Sequence, residues 1–283
     1  MCLIALALDQ HPRFPVVIAS NRDEFLSRPA AALDWWQDAG GAVQTLGGRD
    51  LEAGGTWLAL SAAGRLAMLT NVRDLPRHRP QAPSRGAVVP AWLATPKTMP
   101  AFWRETASRG HNPFNLLATD LPAGRWWWAD DKAHEPRTLG AGVYGLSNAA
   151  LDTPWPKVSA LKSALSAALA RAATLAELED GLFAALADRT TAADHTLPDT
   201  GVGLERERWL APAFIRTPDA GYGTRCSTVL IAERAAAGLS LRVVERQFDA
   251  EGRASSQRGV RLATWPLRST QLPQVADEAL SAA

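Results

Sequence analysis

Met1-Cys2-Leu3-Ile4-Ala5-Leu6-Ala7-Leu8 opens the chain, an unbroken apolar run that puts a thiol directly after the initiator methionine. The seven residues Cys2 to Leu8 are too few for most helices and suit a strand covered on both faces. Position gives Cys2 its interest. When Met1 is removed, which a small second residue favours, Cys2 carries both a thiol and the free α-amine. The amine's ordinary pKa, about 7.7 to 8.0, lies just below the thiol's, about 8.5, so nucleophile and base come as one unit. Such an amine-activated thiol can divide a hard acyl transfer into two easier steps. A cysteine at position 2 also occurs by chance, and a buried one is ordinarily a small hydrophobe.

Working outward, His11-Pro12-Arg13-Phe14-Pro15 reads as a turn, and Val16 to Ser20 as a second, β-branched strand. A hairpin of two similar strands brings Asn21-Arg22-Asp23-Glu24 back beside Cys2. A charged group at a strand end is either a functional cluster or a solvated rim. Arg28 to Gly48 reads as a loop with Trp35-Trp36 packed over it. Four glycines between Gly47 and Gly55 precede a strand over Thr56 to Leu60, whose hairpin partner, Arg65 to Thr70, delivers Asn71. Two helices are expected near Gly86 to Leu93 and Met99 to Arg109, then a hairpin of Phe114 to Asp120 with Arg125 to Asp130. The Trp126-Trp127-Trp128 run puts aromatics on both faces of that hairpin, as core rather than as a base-stacking platform.

Gly140-Ala141-Gly142-Val143-Tyr144-Gly145 matches the dinucleotide pattern literally but leads into a short strand, with no acidic residue about twenty positions on, so that reading fails. The strand Val143 to Ser147 instead ends at Asn148. Thr153-Pro154 reads as an N-cap and first-turn proline, opening a helix with Val158, Leu161, Leu165, Leu169 and Ala172 on one stripe. Thr174 and Glu177 form a capping box for a second helix carrying Leu175, Leu178, Leu182 and Leu186. His195 stands alone in a polar loop, Asp188 to Gly203, and no metal-ligand spacing occurs anywhere. Val229 to Ala232, Leu239 to Phe248 and Val260 to Trp265 read as closing strands. Arg225, just ahead of the first of them, needs an anion or carbonyl to meet it.

Strands at both ends with helices between predict stacked sheets covered by helices in one domain over residues 1–267, with a frayed tail over 268–283. The 283-residue chain is 47% apolar and 21% charged, an ordinary globular composition. A net charge of +1, from 30 basic and 29 acidic residues, supplies no field for nucleic acid or an anionic membrane. The apolar start is too short for a signal peptide or a membrane span, which points to a cytoplasmic protein without integral membrane association. Two cysteines make no disulfide framework. The sequence leaves a Cys2–Cys226 pair open.

Taken together, these blocks resemble the NRDE family, also called transport and Golgi organisation protein 2 homologues, named for the tetrad at residues 21–24. The resemblance rests on Met1-Cys2-Leu3-Ile4, the tetrad with Phe25 and Arg28-Pro29, Gly48-Arg49-Asp50 through Gly54-Gly55-Thr56-Trp57, Leu69-Thr70-Asn71, Leu146-Ser147-Asn148 with the segment to Lys157, and Tyr222 to Thr228. It implies an α+β fold of four layers, αββα, of the N-terminal-nucleophile hydrolase type, with two antiparallel sheets and Cys2 at the nucleophile position. More distantly the pattern is similar to the choloylglycine hydrolases and penicillin V acylases, which cleave non-peptide amides. That likeness implies catalytic roles for Cys2, Asp23, Asn71, Asn148 and Arg225, and substrate contacts from Asn21, Arg22 and Trp57. The chain departs from those hydrolases at Ser20, where they usually carry an arginine; its own arginine is Arg22. Members of the NRDE family have been linked to secretory organisation, acyl-CoA or lipid metabolism and haem mobilisation. The expected function is therefore a cofactor-free amidohydrolase acting through a Cys2 acyl-enzyme on a small-molecule linear C–N bond, and the alternative is a carrier of haem, acyl-CoA or lipid in the same cleft.

Overall fold

The computed structural model describes residues 2–37, 41, 43–219, 221–236, 238–269 and 271–280. Met1 and the last three residues lie outside that set. The chain begins with β1 (Cys2–Leu8) and β2 (Val16–Phe25), paired antiparallel from Cys2↔Arg22 to Leu8↔Val16. All seven residues of β1 are buried, because alternation sends them to two different cores. Cys2, Ile4, Leu6 and Leu8 join one apolar cluster, and Leu3, Ala5 and Ala7 another. The continuous apolar run thus marks a strand with a covered layer on each side.

Two seven-stranded sheets result. The first runs β10 (Gly142–Leu146), β1, β2, β11 (Tyr222–Ala235), β12 (Gly238–Phe248), β13 (Ala254–Trp265) and β14 (Ala276–Asp277). The second is a meander of β3 (Ala30–Gln37), β4 (Gln44–Asp50), β5 (Leu58–Ser61), β6 (Arg65–Asn71), β7 (Phe114–Asp120), β8 (Arg125–Asp130) and β9 (Arg137–Leu139). The pairings between these strands are antiparallel.

Helices α1 (Val88–Ala94) and α2 (Met99–Ser108) cover the outer face of the second sheet through Trp92, Phe102 and Trp103, which pack on Ala59, Ala67, Ala118 and Trp127. Helices α3 (Pro156–Arg171) and α4 (Leu175–Leu186) cover the first through Leu161, Leu165, Leu178 and Leu182. The architecture is the expected α+β sandwich with layers in the order αββα. The Trp triplet behaves as core, with Trp126 and Trp128 facing between the sheets and Trp127 facing the helices.

Local expectations hold where a cap is unambiguous. The Thr174–Glu177 capping box is present, with both reciprocal bonds formed. Others need correction. Arg28 to Gly48 holds strands β3 and β4 rather than a loop, residues 38–40 and 42 lying outside the described set; the Ala-rich start and the Trp pair hide the alternation that marks a strand. Helix α3 starts at the second proline, Pro156, with Trp155 at the cap, so Thr153-Pro154 is a turn before it. The tail, expected to fray beyond Leu267, is docked through its described part. Ala276–Asp277 pairs with β13, Val275 is buried, the Trp35 indole N–H donates to the Pro273 carbonyl at 2.8 Å, and Glu278 meets Arg242 at 2.7 Å. An ion pair and one apolar side chain hold down a segment that polarity alone marks as loose.

Candidate active site

Register places three residues abreast on the inner face of the first sheet. Cys2 pairs with Arg22, and Arg22 pairs on its other side with Cys226. Two strand spacings, about 9 to 10 Å, separate the cysteines, beyond the roughly 7 Å that a disulfide spans. Both thiols are free and buried, which closes the question of a Cys2–Cys226 bridge. Burial pushes the Cys2 thiol from its ordinary 9.0 up to about 11, with nearby Asp23 adding to the rise and Arg22 opposing it. Burial also raises the Cys226 thiol well above its ordinary range, beside the carboxylate of Glu245.

Arg22 crosses the gap between the sheets. Its Nη2 donates to Asp50 Oδ2 at 3.0 Å, and its guanidinium lies 4.3 Å from the centroid of the Trp57 ring. The side chain is 4% exposed, and Nη1 has no hydrogen-bond partner among the described residues. Gly48 makes this stack possible, since a Cβ there would stand 2.5 Å from the Trp57 ring. Asp50 is saturated: it also accepts from Arg28 Nε at 2.7 Å and Nη2 at 3.2 Å, and from the backbone N–H groups of Glu52 and Ala53. Burial disfavours its charge, but Arg28 and the Ala53 N–H hold the carboxyl below its ordinary range. Arg85 stands near Cys2 and Glu24, its pKa drawn down by burial against the pull of those two groups.

Asp23 is one position past the partner of Cys2, and alternation turns it to the helical side of the sheet. It is fully buried, accepting from Thr224 Oγ1 at 2.7 Å, while the Tyr222 hydroxyl donates to its carbonyl at 2.9 Å. Burial raises its pKa, opposed mainly by Lys157. Lys157, in the first turn of α3, is itself buried, donates Nζ to the Leu210 carbonyl at 2.8 Å, and is pushed by burial from 10.5 down to about 8 against the pull of Asp23. Asp23 therefore faces Lys157 and Thr224 on the helical side, while the Cys2 side chain belongs to the core between the sheets. A cavity of about 160 Å³ opens beside Lys157 in the helical layer, across the sheet from the thiol.

Asn71 and Asn148 do come together. Asn148 Nδ2 donates to the Asn71 carbonyl at 2.8 Å, and Ser147 Oγ lies 3.2 Å from Asn148 Oδ1 and 3.3 Å from the Cys2 carbonyl it donates to. The half-buried Asn71 side chain makes no hydrogen bond among the described residues. Asn115, which sequence reasoning passed over, braces this corner by donating to Thr70 Oγ1 and to the Ala149 carbonyl while accepting from the Trp128 indole. Asp50, Arg85 and Lys157 carry no site signal of their own in the sequence; each lies at the end of an element or in a short turn, where only the tertiary fold supplies a partner.

Two expected site residues are corrected. Asn21 faces the helices, where Nδ2 donates to the Leu186 and Ala213 carbonyls at 2.9 and 2.8 Å and Oδ1 accepts from Ser227, leaving it turned away from the thiol. Arg225 is the extra residue of a bulge between Thr224 and Cys226, and its Nη1 donates to the carbonyls of Phe25, Leu26 and Arg28. It clamps the turn after β2, and no carboxylate lies within ion-pair distance of it among the described residues.

Residues 1–250 match the family described as Transport and Golgi organisation 2. The chain belongs to that family. It is 35% identical over 253 residues to the Bos taurus Transport and Golgi organization protein 2 homolog, covering 82% of this chain and 89% of that protein. The human homolog is 34% identical over the same span and coverage. Among solved structures, a mutant conjugated bile acid hydrolase from Clostridium perfringens aligns over 99% of this chain and 97% of its own, with 8% identity and a TM-score of 0.45.

Proposed function

We propose that this family member is a cysteine amidohydrolase whose nucleophile is Cys2 after removal of Met1, acting on a linear, non-peptide C–N bond. The observation that carries the reading is the juxtaposition at the start of β1: a thiol on the inner face beside Arg22, and a buried carboxylate, Asp23, one register step past it on the other face. With Met1 present, burial keeps the thiol protonated. Freeing the α-amine puts a base with an ordinary pKa of about 8 on the same residue. Asp23 holds that amine in register. The thiol proton passes to the amine as Sγ attacks the carbonyl carbon. The S–C bond forms, the C–N bond breaks, and the proton leaves on the amine product. Water then hydrolyses the thioester to the carboxylic acid. Asn71, with an uncommitted amide, is the oxyanion donor, and Asn148 fixes it through the Asn71 carbonyl. Arg225 acts only through the turn it clamps.

The competing reading, a carrier of haem, acyl-CoA or lipid, is favoured by one observation: the thiol is buried and held at about 11 in the unprocessed chain. Intact mass decides whether Met1 is lost. Processed protein incubated with a panel of acyl p-nitroanilides should then give an acyl adduct on Cys2 that hydroxylamine removes and Cys2→Ala lacks. Retained Met1, with a Cys2-dependent haem absorbance and no adduct from any panel member, overturns the hydrolase.

A further inference from the structure

Among the described residues, Arg22 Nη1 is a buried cationic donor without an acceptor, on a side chain 4% exposed, and leaving such a donor unmet is costly unless something binds it. The acids around it are committed elsewhere. Asp50 already accepts five hydrogen bonds, from Arg22 Nη2, two nitrogens of Arg28 and two backbone N–H groups. The carboxylate of Glu245, near Cys226, is taken up by the Leu33 N–H at 2.7 Å, Gln247 Nε2 and Thr228 Oγ1. Glu24 Oε1 accepts from the Phe25 N–H at the rim, and its carboxylate is not within ion-pair distance of Arg22. Neighbouring cations add to the surplus. Arg85 donates only to the Pro113 carbonyl and Arg225 only to carbonyls, with no carboxylate in ion-pair range of either among the described residues.

We infer that a ligand engaging Cys2 carries a carboxylate, and that Arg22 Nη1 binds it with Arg85 as a second positive group. Contact with the Trp57 ring and the bond from Nη2 to Asp50 restrain the guanidinium, whose planar fork of N–H donors suits a carboxylate. Cross-strand pairing of Cys2 with Arg22 keeps that anion close to the sulfur. The inference deepens the amidohydrolase reading and rests on it only for the reactivity of Cys2.

Two probes test it separately. Iodoacetate and iodoacetamide both alkylate a thiol with loss of iodide but differ in charge. At constant ionic strength, the iodoacetate-to-iodoacetamide rate ratio at Cys2 should exceed that of free cysteine by about tenfold or more, the worth of one charge-assisted hydrogen bond. It should fall to the free-cysteine value in Arg22→Met and part-way in Arg85→Gln. A ratio equal to that of free cysteine overturns the inference while leaving the nucleophile intact. If neither reagent labels Cys2, the nucleophile fails and the melting temperature decides. Sodium phenylacetate should then raise it, phenylacetamide should not, and Arg22→Met should abolish the difference. Equal effects of the two compounds, or stabilisation by inorganic phosphate alone, overturn the carboxylate site. Should Arg22→Met not fold, the wild-type ratio and Arg85→Gln decide between the same two outcomes.

Discussion

At the scale of single residues, strand parity separates two halves of the site that the tetrad shows as one string. Arg22 faces the thiol between the sheets, while Asn21 and Asp23 face the helices. Cys2 and Arg22 were legible in the sequence as neighbours because a hairpin of two similar strands brings them together, whereas Trp57, just ahead of β5 in the other sheet, entered only through the family resemblance. Arg85 and Lys157 were not, since nothing local announces a charge that only a distant element will bury. Lys157 gives a direct test of the Asp23 side. Its charged form is disfavoured by burial and supported by Asp23, so Asp23→Asn should move its titration below about 8. Thr224 Oγ1 can still donate to the amide oxygen, so the fold should persist while Cys2 loses reactivity. Carbon NMR of the lysine side chains checks the first effect and alkylation kinetics the second. A titration that stays near 8 would remove Asp23 as the partner.

At the scale of elements, β2 does more than complete a hairpin. Through Asn21 it holds the C-terminal end of α4 and the segment at Ala213 against the sheet, since both carbonyls are satisfied by one buried side chain. Asn21→Ala leaves two buried carbonyls without donors and should cost about 1 to 3 kcal/mol, seen as a lower denaturant midpoint with an unchanged slope. Cys2 alkylation by a neutral reagent should then be altered little at temperatures where the protein stays folded. Loss of labelling in a folded Asn21→Ala would return Asn21 to the cleft. Elements with strong periodicity, such as β1, α3 and α4, were legible from sequence. The pair β3 and β4 was not, because Ala30 to Gln37 mixes small, acidic and aromatic residues on partly covered faces, and alternation fades when neither face is fully buried.

At the scale of the whole molecule, the αββα order follows from two covered sheets, each with a helical pair on its outer face. The inner layer carries the proposed chemistry. The tail belongs to this assembly, because Val275 is buried and Glu278 shares Arg242 with Glu179. Deleting residues 272–283 should destabilise the fold by at least the burial of one valine, about 1.5 to 3 kcal/mol, in chemical denaturation. A truncated chain as stable as the intact one would make the docked tail incidental. Stability should also report the buried lysine. Its folded pKa, about 8, lies below the ordinary 10.5, so the unfolded chain holds the proton more tightly across that window. Lys157 therefore adds stability as pH rises from about 8 to 10.5, and Lys157→Met should lose that slope relative to the intact chain.

In the proposed mechanism, removal of Met1 turns a buried, protonated thiol into an activated one. The pH dependence of Cys2 alkylation tests it, measured by intact mass on protein with and without Met1. With Met1 in place the midpoint should lie near 11. Without it, the midpoint should drop towards the amine's range, about 8, with Cys226 unlabelled in both forms. A midpoint that stays near 11 in the processed protein, or equal labelling of Cys2 and Cys226, would contradict the account.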